Sequence, residues 1–239
     1  ELIDFSLGND ICDFCDFEGL HIENARILVS VVTSCCYKYP RVRSNICFIG
    51  ANDSLCERLK SAINGNTNII VQFGLEKIIG NVQTLKTVGE SALSSIEGFL
   101  KKRDSYLAVA ISLFGLFDAV LFDTQDFCNS KYDSLRRDLT GNSIYGFHPK
   151  DCGTIEGIAY HEMGHLLDFM LKISSSEEFL AIQREYGSTQ IAKGLSQYAT
   201  TNAAEMLAEG FSEYMCSKNP RPIAKRIGEM IDRFYARQE

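Results

Sequence analysis

Apolar residues recur at helical spacing over residues 22–37, and the pattern stops before Pro40, whose ring disfavours helical backbone at Tyr39. Residues 46–49 are apolar and end at Gly50, which reads as a strand. Residues 67–73, after the turn-rich Asn64-Gly65-Asn66, read as another, as do residues 119–122 and 143–147. Residues 75–102 keep a helical period punctuated by Gly80, Gly89 and Gly98. The last third is helical and better marked. Residues 154–172 form a strongly apolar helix with Asp151 or Thr154 as its cap, followed by helices over 176–186, 189–198, 202–217 and 222–237, the last two separated by Pro220 and Pro222. Strands first and helices afterwards predict an α+β fold. No repeat or linker divides the chain. We distinguish residues 1–140, a helix and strand portion of undefined role, from residues 141–239, which carry the chemistry, and expect one continuous structural unit.

Composition adds a few exclusions. The 239 residues are 45% hydrophobic and 23% charged, ordinary for a soluble globular protein. A net charge of −7 argues against general nucleic-acid binding. The basic residues of the final stretch (Lys218, Arg221, Lys225, Arg226, Arg233 and Arg237) read as the solvated face of a terminal helix. Nine cysteines, an odd number without repeating spacing, point to free thiols and a reducing compartment; Cys12-Asp-Phe-Cys15 has metal or redox spacing but no second pair. Glu1 is preceded by no initiator methionine, basic segment or apolar segment, which reads as an excised domain or a processed product. The strongest apolar run, 107–117, is too short to span a bilayer, so the chain reads as soluble.

The chemistry is concentrated in His161-Glu162-Met163-Gly164-His165. Residues four apart lie one above the other on a helix, so both imidazoles point to one side and can occupy two corners of a tetrahedral zinc site. Glu162 is placed to take the proton from the attacking water. Ile155, Ile158, Ala159, Leu166, Leu167, Phe169, Met170 and Leu171 make this helix apolar nearly all round, so its polar side chains should be partly buried and in need of partners.

The third ligand decides the class. A metzincin would continue with glycine and a further histidine or aspartate; Asp168 and Leu171 stand there, which excludes it. Asp168, one turn past His165, reads as an outer-shell or surface group, and His148 can in principle close the site. His21 has no companion and reads as structural or exposed. Glu205, Glu209 and Glu213 fall at steps of four in a segment, residues 202–217, without lysine or arginine. Asn202 and Glu205 can form a capping pair on a solvated face, but like charges at this spacing repel. A facing cation and imidazole explain the stripe better: Glu205 as metal ligand, Glu209 orienting a histidine ligand, Glu213 structural or exposed.

HEMGH followed by Tyr198-Ala-Thr-Thr-Asn-Ala-Ala-Glu205-Met-Leu-Ala-Glu209 resembles the anthrax lethal factor type of metallopeptidase domain, a gluzincin family with glutamate as third zinc ligand. Gly146-Phe-His-Pro-Lys running into the HExxH helix is similar to family members attached to phage head proteins and bacterial toxins. The resemblance covers residues 145–222, and the ExxxE of Glu205 and Glu209 departs from the ExxxD of thermolysin-like gluzincins. It implies a zincin-like fold and zinc on His161, His165 and Glu205. It also implies a tyrosine seven residues before the ligand, Tyr198, pointing into the site, where a phenol can donate to an oxyanion or a leaving amine. Residues 143–147 would be the edge strand that pairs with a peptide.

The expected protein is a zinc-dependent endopeptidase that hydrolyses a peptide or protein substrate through a metal-activated water with Glu162 as general base. No nucleic acid or membrane partner is expected. The expected location is the cytoplasm or another reducing compartment, with delivery into a host cell as part of a larger protein left open. The alternative is a non-catalytic binding protein of phage or effector origin stapled by the same zinc. Closed zinc sites usually fill the fourth corner with protein, often cysteine, and Cys152 and Cys216 are the nearest in sequence.

Overall fold

A computed structural model describes residues 1–63, 94, 107–113 and 117–237. It is an α+β protein, mostly helical, with a small mixed four-stranded sheet. The chain divides into two compact units, residues 1–29 with 43–132 and residues 30–42 with 133–239.

The first unit holds α1 (Leu2–Gly8), β1 (Phe14–Asp16), the start of α2 (Ile22–Lys38), the last residue of α3 (Pro40–Arg43), β2 (Ile46–Ala51), α4 (Asn52–Ile63), β3 (Ala108–Leu113) and β4 (Phe117–Phe122). The strand order is β1-β2-β4-β3; β1, β2 and β4 are parallel, and β3 is antiparallel to β4. All six residues of β2 are buried, as expected of a central parallel strand covered on both faces. Gly50 stands at φ +143°, and a Cβ there would lie 1.9 Å from the Asp16 carbonyl oxygen, so only glycine lets β1 close on β2. His21 stacks on Tyr132 with ring centroids 3.8 Å apart, a structural role.

The expected helix at 22–37 and strands at 46–49 and 119–122 are present, while residues 67–73 and 75–102 lie outside the described residues. The apolar run at 107–117 supplies β3, and no helix among the described residues is long and apolar enough to cross a membrane. All nine cysteines are free. Cys12 and Cys15 are both buried, and their mutual hydrogen bond lowers the Cys15 pKa.

The second unit holds α5 (Tyr132–Ile144) beyond its first residue, α6 (Ile155–Leu171), α7 (Glu177–Gly194), α8 (Ala203–Cys216) and α9 (Pro222–Ala236), with residues 30–42. Helix α6 is buried along most of its length. Of the two cap candidates Thr154 serves, its hydroxyl accepting from Gly157 N at 3.0 Å; Asp151 instead accepts from Ser217 Oγ at 2.8 Å. The break expected between 186 and 189 is a kink at Gly187, φ +65°, inside α7, which ends at Gly194 rather than at Tyr198. Tyr198 opens a short 3-10 turn, Tyr198–Thr200.

One expected element is overturned. Residues 143–147 are not a strand: α5 runs to Ile144 and a turn follows, with Gly146 at φ +75°. Isolated apolar residues after a polar helix mimic a strand pattern. The Gly146 and Phe147 carbonyls already accept from Gln197 N (2.9 Å) and Tyr198 N (3.1 Å), so those groups are engaged within the chain.

Candidate metal centre

Three side chains of the second unit converge. His161 and His165 project from successive turns of α6, with Nε2 atoms 3.1 Å apart. Helix α8, capped by Asn202 Oδ1 accepting from Glu205 N at 2.9 Å, brings Glu205 Oε2 within 3.1 Å of His161 Nε2 and 3.3 Å of His165 Nε2. Gly164 permits this approach: a Cβ there would stand 2.9 Å from Ala208 Cα. Ser212 Oγ, donating to Gly157 O at 2.7 Å, ties the same two helices.

These residues fit a metal ion. The three potential ligand atoms form a triangle with edges of 3.1–3.3 Å. Tetrahedral bonds of roughly 2.0–2.1 Å, usual for imidazole and carboxylate around zinc, put ligand atoms about 3.3–3.4 Å apart. Glu205 Oε2 is buried and accepts no hydrogen bond of ordinary geometry, although both imidazoles are within reach. Among the described residues, His161, His165 and Glu205 are the group able to hold an ion.

The electrostatics agree. Burial pushes the His161 pKa down, but the facing carboxylates of Glu205 and Glu209 outweigh it and raise it to about 10 in the metal-free chain. Burial would raise the Glu205 pKa, but the two imidazoles hold it well below the carboxylate range. The cluster therefore retains a proton where an ion would neutralise the same electron pairs.

Glu209, one turn beyond Glu205, is 1% exposed. Its Oε1 accepts from His161 Nδ1 at 2.8 Å and its Oε2 from Ser196 Oγ at 2.7 Å. Being ionised, Glu209 can only accept, which makes His161 Nδ1 the donor and leaves Nε2 facing the cluster. Glu162 is buried on α6, and its charge also raises the His161 pKa. The Tyr198 ring lies 5.9 Å from the His161 ring, centroid to centroid, and 5.6 Å from Phe147.

Other candidates lie apart from the triangle. Asp168 accepts from Ser174 N (2.7 Å) and Ser174 Oγ (2.5 Å), closing the turn after α6. His148 is not in the ion-holding group; its Nδ1 meets Glu209 Oε1 at 3.3 Å. Glu213 is buried in a fork with Arg221, whose Nη2 is 2.6 Å from Oε2, and so is structural. Cys152 and Cys216 hydrogen-bond each other, and neither belongs to the group. Ser196 was missed by sequence reasoning, because a lone serine in a loop carries no signal. Of the terminal basic residues, Arg226 pairs with Glu185, and Arg233 and Arg237 pair with Glu178.

No protein-family model matches the chain, and comparison with curated proteins and with solved structures returned no match.

Proposed function

We propose that the second unit is the catalytic part of a zinc-dependent endopeptidase of zincin-like fold. The observation that carries the reading is the triangle of His161 Nε2, His165 Nε2 and Glu205 Oε2, with edges of 3.1–3.3 Å and a buried carboxylate oxygen lacking a hydrogen bond. An HExxH helix packed on a second helix that brings the glutamate supports the gluzincin arrangement. Zinc bound there would polarise a scissile carbonyl and acidify a water. Glu162 takes the proton from the attacking water and passes it to the leaving amine. Tyr198, its ring tilted against that of His161, donates to the developing oxyanion. Glu209 holds His161 in the Nδ1–H tautomer through the 2.8 Å bond. Ile144 and Tyr145, 75% and 82% exposed, with Phe147 beside Tyr198, offer an apolar surface to a peptide side chain.

The test is metal content and peptide cleavage of wild type, Glu205→Gln and Glu162→Gln purified identically. Wild type should carry about one zinc per chain and cleave; Glu205→Gln should lose zinc; Glu162→Gln should keep zinc and lose cleavage. Near-normal cleavage by Glu162→Gln would end the mechanism. Zinc in the wild type without cleavage of any peptide in a broad library would favour a structural staple.

A further inference from the structure

Glu209 has a donor that the reaction above does not require. Its Oε1 receives two imidazole N–H groups, His161 Nδ1 at 2.8 Å and His148 Nδ1 at 3.3 Å, while Oε2 receives Ser196 Oγ at 2.7 Å. A carboxylate this deeply buried stays charged and fixed only when its lone pairs are met. Ser196 constrains one oxygen; His148 constrains the one that faces the HExxH helix. Without His148, Oε1 would keep a single imidazole partner, His161, and would lose the bond that fixes its direction from the opposite loop.

We propose that His148 is a positioning residue: by donating from Nδ1 to Glu209 Oε1 it fixes that carboxylate against His161 and so sets the affinity of the His161–His165–Glu205 group for zinc. The inference rests on the metal-binding part of the reading above, not on peptide cleavage. Removing the imidazole tests the bond and not the loop, because Gln197 N→Gly146 O (2.9 Å) and Tyr198 N→Phe147 O (3.1 Å) anchor residues 146 and 147 independently. The His148 ring also packs against Phe147 and Tyr198, at centroid distances of 5.0 and 5.8 Å. Packing and donation therefore have to be separated.

Three variants separate them. Asn presents an N–H near the Nδ1 position, Gln presents it one bond further out, and Phe keeps the ring without a donor. Zinc affinity is read by chelator competition at one pH, with thermal melting as a check on folding. His148→Phe and His148→Gln should bind zinc about tenfold more weakly, the size usual for the loss of an outer-shell partner. His148→Asn should stay within about twofold of wild type on the same scale. A packing role predicts the reverse order. His148→Phe or His148→Gln at wild-type affinity, or His148→Asn as weak as either, overturns the proposal. A wild type without zinc affinity overturns it together with the metal site. A wild type that binds zinc but cleaves nothing removes the peptidase reading alone, and the affinities still decide this one.

Discussion

Replacing Gly164 by alanine is the sharpest perturbation of the helix pair, because two physical effects predict opposite signs. Alanine is a better helix former than glycine by about 1 kcal/mol, so intrinsic propensity alone predicts stabilisation. Packing predicts the opposite. The new Cβ would stand 2.9 Å from Ala208 Cα and 3.3 Å from Phe211 Cβ, against an ordinary contact of 3.4 Å or more. The nearest atom is backbone, which cannot rotate away, so α6 and α8 must separate by roughly 0.5 Å or distort, at about 1–3 kcal/mol. The His161–His165 edge lies within α6 and is unaffected. Both edges to Glu205 cross the interface; from 3.1 and 3.3 Å they would open beyond the about 3.3–3.4 Å that a tetrahedral ion tolerates. If the metal-free chain relieves the strain and the ion reimposes it, zinc affinity falls by about 5- to 150-fold. Chelator competition reads the affinity and thermal melting of the metal-free chain reads the strain. A Gly164→Ala chain that melts at or above wild type and binds zinc equally well refutes the argument.

Three further outcomes follow from the same geometry. Arg221→Met removes the fork on buried Glu213 and should cost about 3–5 kcal/mol of stability in urea unfolding, while Arg221→Met with Glu213→Leu should recover much of it; equal stability of the single and double variants would refute the pairing. Burial would raise the Glu209 pKa, but hydrogen bonds from His148 and His161 hold it at about 2. Its folded value is thus below the unfolded value of about 4.3, so its contribution is present above that pH and lost as pH falls towards 2. The metal-free urea midpoint should drop across that window, and Glu209→Gln should flatten the drop; parallel curves would count against it. Tyr198→Phe should retain zinc and lose about 10²–10³ in kcat, the usual cost of one oxyanion donor; unchanged turnover would place the phenol outside the chemistry.

What was legible follows from the range of the interactions. Helix α6 was readable because its cap, its apolar residues and its HExxH spacing are local. Glu205 was readable because a run of glutamates without lysine or arginine on one helix needs something outside it. The turn at residues 145–147 was not, because it depends on hydrogen bonds from Gln197 and Tyr198, some fifty residues away. Ser196 and the role of His148 were hidden for the same reason, since both meet Glu209 only after α8 has packed. Strand β1 was too short to show a period, and its pairing with β2 depends on Gly50 accepting the Asp16 backbone at close range.

The three glutamates of α8 make the strongest case when compared with one another. They share a helix face and a sign, and each lies largely or wholly out of water, so each must find compensation from another element. Glu213 finds a guanidinium, whose donors match both its oxygens. Glu209 finds two imidazoles and a hydroxyl, donors enough for a carboxylate that stays ionised. Glu205 alone has an oxygen, Oε2, that is buried without a hydrogen bond, and it faces two nitrogens that need the same kind of partner. A proton shared among three acceptors satisfies at most two of them at once. A divalent cation satisfies all three, and the sites one and two turns further along show what this helix does when protein donors suffice.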